Sequence, residues 1–328
     1  MVVPAIIMKE AILKALRHGG QVSGERLGDE VGISRTAVWK YVTELRSEGY
    51  QIDSSPGKGY SLLSAPDSLL PQEIREGLRT RVLGWEIDYH PEVGSTQDVA
   101  QSLAIRGAGE GTTVIAEKQS GGKGRIGRKW ESLPGSIAIS IILRPAIQPL
   151  EAPKFTIIAG VAVAEAIEEI TSIKPRLKWP NDIIVGGKKA GGILAEMSAE
   201  MDRINYIIIG IGINVNAERE FIPAEIQGIA TSLKEEGGKE ISRVKLVQGI
   251  LEKLESLYEE FTEGGFEPIR QRWKALSNTI GERVVITGAR GKMEGEAVDM
   301  DQDGVLIVRK DDGVIERIIA GDVSLRNA

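Results

Sequence analysis

The chain lacks cysteine altogether and has only two histidines, His18 and His90. No cysteine means no disulfide and no thiolate metal site, and a reducing compartment fits. Two histidines exclude a histidine-rich metal centre, so no metal site built from protein side chains alone is expected. Long apolar runs are missing as well. The opening "MVVPAIIMKEAILKALRHGG" is interrupted by Lys9, Glu10, Lys14 and Arg17, the pattern of an amphipathic helix rather than of a signal peptide. No stretch approaches the roughly 18 unbroken apolar residues of a membrane span, so no membrane partner is expected and the cytoplasm is the default. There is also no excess of positive charge. A formal net charge of -6 argues against broad electrostatic binding of nucleic acid, but leaves room for a small specific DNA-binding module.

What is present is a folded chain of several domains, 41% hydrophobic and too long at 328 residues for one ordinary core. Residues 4–63 look self-contained. Ile6, Ile7, Ala11, Leu13 and Leu16 predict a helix that stops at Gly19-Gly20. Ser23 and Ser34 stand at cap positions before "GERLGDEVG" and "RTAVWKYVTELRSEG", and Ala37, Val38, Tyr41, Val42 and Leu45 repeat at helical spacing. Two short helices around a glycine turn make a helix-turn-helix, and "YQIDSSPGKGYSLL" reads as a hairpin wing about Pro56–Gly59. A linker is expected at about 64–72. Strands at 112–116, 137–143, 183–185, 193–196 and 206–213 then mix with helices at 96–106, 154–171, 244–261 and 269–276. From Gly281 the chain turns to short strands parted by Gly and Asp-Gly turns, a small barrel-like β unit. The expected architecture is α+β and multidomain, with domains at 1–66, 67–276 and 277–328.

"SGGKGRIGRKW", residues 120–130, concentrates glycine and positive charge in this acidic chain. It contains G-x-G-x-x-G, but Pro134-Gly135 and the strand-like "IAISIIL" follow where a dinucleotide fold needs a helix, and no Gly-Lys-Ser/Thr ends the loop. Both phosphate-loop readings are therefore rejected. The glycines still let backbone N–H groups approach an anion, while Lys123, Arg125, Arg128 and Lys129 supply charge. Four further segments accompany the loop: "EVGSTQDVA" with Ser95-Thr96, "KWPNDIIV" at 178–185, "GKKAGGILAE" with Lys189, and "IGIGINVN" ending in Asn214 and Asn216.

In this order these motifs resemble the biotin–protein ligase family. With "GISRTAVWKYVTELRSEGY", "PGKGYSL" and the terminal "GDVSLR", the chain is similar over essentially its whole length to bifunctional biotin ligase/biotin operon repressors. The resemblance implies a winged helix-turn-helix, a central mixed α/β sheet like that of class II synthetases and a small SH3-like barrel. It implies formation of biotinyl-5′-AMP from biotin and Mg-ATP, with Mg2+ carried on ATP near Asn181, and transfer of biotin to one lysine of a carboxylase carrier domain. By motif position Lys189 and Arg125 are the catalytic candidates. Ser95, Thr96, Gln97, Gln119, Lys123, Gly124, Arg125 and Lys189 would surround biotin. Arg125, Arg128, Trp130, Lys178, Asn181, Asn214 and Arg326 would serve the ATP or adenylate. This sequence departs from the family's commoner Gly-Arg-Gly-Arg-Arg-Gly-Arg loop at Lys123 and Ile126, and has Gln97 where asparagine is more usual.

The resemblance further implies a homodimer, formed when the adenylate is bound, that represses biotin genes. Ser34, Arg35, Thr36, Lys40 and Arg46 of the third helix, with Lys58 of the wing, are the candidates for operator DNA. Over residues 1–66, eight Lys/Arg nearly cancel seven Asp/Glu, so tight binding would need two copies on a palindromic site. Three rival readings remain at this point: a lipoate-type ligase of the same fold, a ligand-sensing repressor without turnover, and a ligase with no operator.

Overall fold

A computed structural model describes residues 5–55, 58–288, 291–319 and 321–325. The chain forms two compact units, Met1–Glu76 and Gly77–Ala328.

In the first unit α1 (Ala5–Gly19), α2 (Gly24–Val31) and α3 (Arg35–Ser47) precede an antiparallel hairpin, β1 (Gln51–Ser55) and β2 (Gly59–Ser64), and a short helix, α4 (Pro71–Arg75). The two cap serines act as their positions predict. Ser23 Oγ accepts the Arg26 N–H at 3.1 Å and Ser34 Oγ the Ala37 N–H at 3.2 Å, each satisfying a donor that a helix start leaves open. Gly32 turns the chain between α2 and α3 at φ 73°, a left-handed conformation that glycine adopts without a Cβ clash. Ile12, Leu13 and Leu16 of α1, Leu27 of α2, and Val38, Val42 and Leu45 of α3 form one core with Tyr50 and Ile52. Part of the stretch expected as a linker is ordered. Pro71 opens α4, where its missing N–H leaves nothing unsatisfied, and Glu73 receives Arg17 at 2.6 and 2.7 Å and the Tyr50 hydroxyl at 2.5 Å.

The second unit is built on a seven-stranded sheet in the order β3-β4-β5-β9-β8-β7-β6. Its strands are β3 (Ile87–Val93), β4 (Thr113–Gln119), β5 (Ile137–Leu143), β6 (Arg176–Lys178), β7 (Asp182–Val185), β8 (Lys188–Ala199) and β9 (Ile204–Ile213). β3 and β4 run parallel, joined by α5 (Thr96–Ile105), and the other strand-to-strand pairings of this sheet are antiparallel. All seven residues of β5, apolar but for Ser140, are buried, as a strand in the middle of a two-sided sheet should be. α5 packs Ala100 and Ala104 against Val114, Ile142, Tyr206 and Ile208. Gly160 of α6 (Lys154–Thr171) approaches Ile193, which pairs with Ile211. Side chains alternate along β9, so Ile208 and Ile211 point to opposite faces and α5 and α6 cover the sheet from opposite sides.

α7 (Leu233–Gly237), α8 (Arg243–Gly264) and α9 (Glu267–Leu276) lead into a five-stranded antiparallel sheet in the order β13-β12-β11-β10-β14. Its strands are β10 (Arg283–Gly288), β11 (Gly291–Met300), β12 (Leu306–Arg309), β13 (Ile315–Ile318) and β14 (Asp322–Leu325). Glu255 of α8 fastens the start of the unit: its carboxylate accepts the backbone N–H groups of Arg81, Val82 and Leu83 at 2.6, 2.7 and 3.0 Å.

Candidate functional site

The basic loop leaves the end of β4 and folds back on itself through two backbone bonds, Gly124 N–H to Arg128 O at 2.7 Å and Trp130 N–H to Gly122 O at 2.9 Å. Gly122 has no alternative here, because a Cβ would lie 2.4 Å from the Trp130 carbonyl oxygen. Between these bonds runs a single 3-10 turn, Arg125–Gly127, with Ile126 at φ 54°. Its side chain is 73% exposed, so it faces solvent rather than covering the cavity beneath.

That cavity, about 210 Å³, is lined by the starts of α5 and β8, the end of β4, the loop, the β6–β7 turn and the middle of β9. Ser95, Thr96, Gln97, Gln119, Lys123, Gly124, Arg125, Arg128, Trp130, Lys178, Asn181 and Lys189 all reach it. One end is a fixed set of neutral hydrogen-bonding groups. Gln119 Oε1 accepts the Thr96 N–H at 2.8 Å and the Thr96 hydroxyl at 3.0 Å, which leaves the Gln119 amide nitrogen as a donor. The Thr96 and Ser140 hydroxyls meet at 2.9 Å, Ser140 donates to Gln97 Oε1 at 3.0 Å, and Gln97 Nε2 donates to the Ile208 carbonyl at 3.3 Å. Ser95 occupies the cap position of α5 without making the cap bond. Its Oγ is buried and has no partner among the described residues, which exposes a donor and an acceptor to the cavity.

The other end is charged. Lys189 Nζ lies 2.6 Å from Asp182 Oδ1 and 5.7 Å from the centre of the Trp130 ring. Arg125 donates to Asn181 Oδ1 at 3.2 Å and to the Gly321 carbonyl at 3.5 Å, while Asn181 Nδ2 is held by the Ile193 carbonyl at 2.9 Å. Burial lowers the pKa of the Arg125 guanidinium, against the opposing pull of Asp322 and Asp182. Lys123 pairs with Asp98 and Arg128 with Asp322, so β14 supplies one wall and an anchor for the loop. Glycines make the floor. A Cβ on Gly212 would lie 2.5 Å from the Trp130 ring, and one on Gly210 would lie 2.6 Å from Gln97 Oε1.

Comparison with known proteins settles the family. The biotin/lipoate A/B protein ligase family matches residues 90–214, an HTH domain residues 9–61 and a biotin protein ligase C-terminal domain residues 279–326. A bifunctional ligase/repressor BirA of Bacillus subtilis is 43% identical over 93% of this chain and 94% of its own length. The chain belongs to the biotin protein ligase family. Another bifunctional ligase/repressor BirA, of Escherichia coli, is 32% identical over 97% of both chains. A biotin protein ligase of Aquifex aeolicus, solved in complex with biotin and ATP, is 34% identical and superposes with a TM-score of 0.64, covering 74% of this chain and 100% of that one.

One sequence candidate lies away from the cavity, and another falls outside the described residues. Asn214 does not reach the cavity. It is buried, and its amide donates to the Thr231 carbonyl at 3.1 Å while Ser136 donates to its oxygen at 3.4 Å, so it fastens the end of β9 to the following segment. Arg326 lies outside the described residues. Conversely, the motifs gave no role to Asp182, Ser140, Asp98 or Asp322, whose importance comes from tertiary partners. Asp182 stands in "KWPND" seven residues before Lys189, and only the pairing of β7 with β8 brings the two together.

On the helix-turn-helix, Ser34, Arg35, Thr36 and Lys40 are exposed at the N-terminal half of α3, and Lys58 is exposed on the hairpin. Arg35, Lys40 and Lys58 have no ion pair among the described residues, whereas Lys9 is held by Glu44 and Glu48 and Arg26 by Glu30. Arg46 behaves differently from the expectation. Its guanidinium donates twice to the Ile52 carbonyl, at 2.9 and 2.7 Å, and ties α3 to the hairpin instead of reaching outward.

Proposed function

We propose that this chain activates biotin with ATP as biotinyl-5′-AMP, transfers biotin to a lysine of a carboxylase carrier domain, and as an adenylate-bound homodimer represses biotin genes from operator DNA. The observation that carries the reading is the polarity of the cavity: neutral, fixed hydrogen-bonding groups at one end and Lys189, Arg125 and Lys178 at the other. Biotin has the same polarity. Its ureido group would take the hydroxyl of Ser95 and the amide of Gln119, with Thr96 and Gln97 ordering them, and its carboxylate would reach Lys189.

The first step forms a bond from a carboxylate oxygen to the α-phosphorus of ATP and breaks the bond to pyrophosphate. Negative charge accumulates on phosphate oxygens, so placed cations in a dry pocket do most of the work. Lys189 would follow the charge from carboxylate to acyl phosphate, exchanging Asp182 for substrate oxygen, while Arg125 and Arg128 meet the phosphates and Trp130 covers the nucleotide side. Mg2+ takes oxygen ligands and commonly arrives on nucleotide phosphates. Asn181 and Asp182 line the same cavity, with Asn181 Oδ1 held by Arg125 and Asp182 Oδ1 by Lys189, and they would take Mg2+ once substrate oxygens draw those two cations away. In the second step the acceptor lysine amine attacks the acyl carbon and AMP leaves.

The same reading makes the β1–β2 hairpin a wing, the seven-stranded sheet a relative of class II synthetases and the β10–β14 sheet an SH3-like barrel, with domains at 1–66, 67–276 and 277–328 acting in the cytoplasm. Biotin-dependent exchange of labelled pyrophosphate into ATP tests the enzyme, with lipoate as the parallel substrate. Exchange with biotin alone is expected, and Lys189→Ala should abolish it in a protein that melts as the parent does. Exchange with lipoate alone, or near-normal exchange in the folded variant, would overturn the assignment.

A further inference from the structure

We propose that Trp39 of α3 reads a thymine, its indole packing on the 5-methyl group in the major groove; this rests on the DNA-binding reading given above. Trp39 is 58% exposed, although a side chain of that size normally contributes to a core or an interface. At 100° per residue, Val38, Val42 and Leu45 mark the buried face of α3, and Arg35, Thr36, Trp39, Lys40 and Thr43 form one continuous outward arc. Trp39 stands inside that arc, flanked by Arg35 one turn before and Lys40 beside it.

The charge around it selects the partner. Arg35 and Lys40 have no ion pair among the described residues, and Glu44 of α3 and Glu48 just past its end lie toward α1, where they pair with Lys9 at 3.1 and 2.6 Å. An apolar plate flanked by two unneutralised cations matches a polyanion that displays apolar groups between its charges. In the major groove the thymine methyl is that group, and the N-terminal half of a recognition helix is the part that meets base edges. The Thr43 hydroxyl is engaged with the Trp39 carbonyl at 2.9 Å, so the indole is the larger free contact on the arc.

The test uses the full-length protein with biotin and Mg-ATP and duplexes it selects from a random-sequence pool. Each thymine of the selected duplex is replaced by deoxyuridine, which removes only the methyl group. At one position per half-site the wild-type chain should lose about fourfold in affinity, the equivalent of one buried carbon group. Trp39→Ala should bind the parent duplex more weakly and show no further loss on that replacement, while Trp39→Phe should keep part of the sensitivity. If every deoxyuridine costs Trp39→Ala as much as wild type, the inference fails although DNA binding stands. If no duplex is selected, the DNA-binding reading fails and this one with it. If Trp39→Ala keeps full affinity but loses a protein–protein contact, Trp39 serves another partner and the inference is wrong.

Discussion

At the residue scale, the roles in the cavity come from pairs rather than from single side chains. Lys189 was legible in the sequence because it precedes a glycine pair in a motif, but its counter-charge was not, since Asp182 meets it only when β7 and β8 pair. The same limit explains Arg46 and Asn214, whose residue types suit DNA and nucleotide but whose partners are carbonyl oxygens of the chain itself. Glycines on β9 carry the opposite lesson: they looked like strand composition, yet they set the depth of the cavity. Gly212→Ala puts a methyl group 2.5 Å from the Trp130 ring, which must shift from its place in the cavity wall. Displacement on that scale should lower kcat/KM for pyrophosphate exchange by about a hundredfold with little change in melting temperature. An unaltered kcat/KM would show that Trp130 does not shape the substrate site. Asp182→Asn leaves Lys189 without its carboxylate and should change kcat for exchange more than KM for biotin. Steady-state kinetics at saturating ATP would separate the two.

At the element scale, strongly periodic or almost wholly apolar segments were legible. α3, α6 and β5 fall where their patterns put them, because burial on one stripe or on both faces leaves a plain signature. β3 escaped, since "IDYHPEV" is half-buried, polar and carries a proline, and it is a strand only because β4 lies alongside it. α4 escaped because Pro66 and Pro71, the second its own first residue, read as linker, while Arg17 and Tyr50 reach Glu73 from distant parts of the sequence. Single side chains can also hold an element in place. Glu255→Ala would leave the N–H groups of Arg81, Val82 and Leu83 without their shared acceptor. Loss of charge-assisted bonds at a buried site should cost about 2–3 kcal/mol. Chemical denaturation would read it as a lower midpoint at the same slope; an unchanged midpoint would mean that water replaces the carboxylate at no cost.

At the scale of the whole molecule, charge is divided rather than merely counted. The chain is negative overall, yet the outward face of α3 and the hairpin keep Arg35, Lys40 and Lys58 unneutralised. Few phosphate contacts per chain follow, and each releases about one counterion. The logarithm of the operator affinity should therefore fall with the logarithm of salt at a slope of about -3 for one copy and about -6 for two. Titrations at several KCl concentrations measure it directly. A slope much steeper than about -6 would mean that cations outside this face also touch the DNA.

The anchoring of the basic loop on β14 also has a consequence in time. Arg125 and the Gly321 carbonyl that receives it are 196 residues apart in the chain. At the usual pace of translation, about 5–20 residues per second, the loop waits roughly 10–40 s on the ribosome before its anchor has been made. A nascent chain therefore carries the loop and most of the cavity wall long before it can shut them, and any reactive intermediate formed in that interval would be lost to water. Competence to hold the intermediate comes only once β14 has been made.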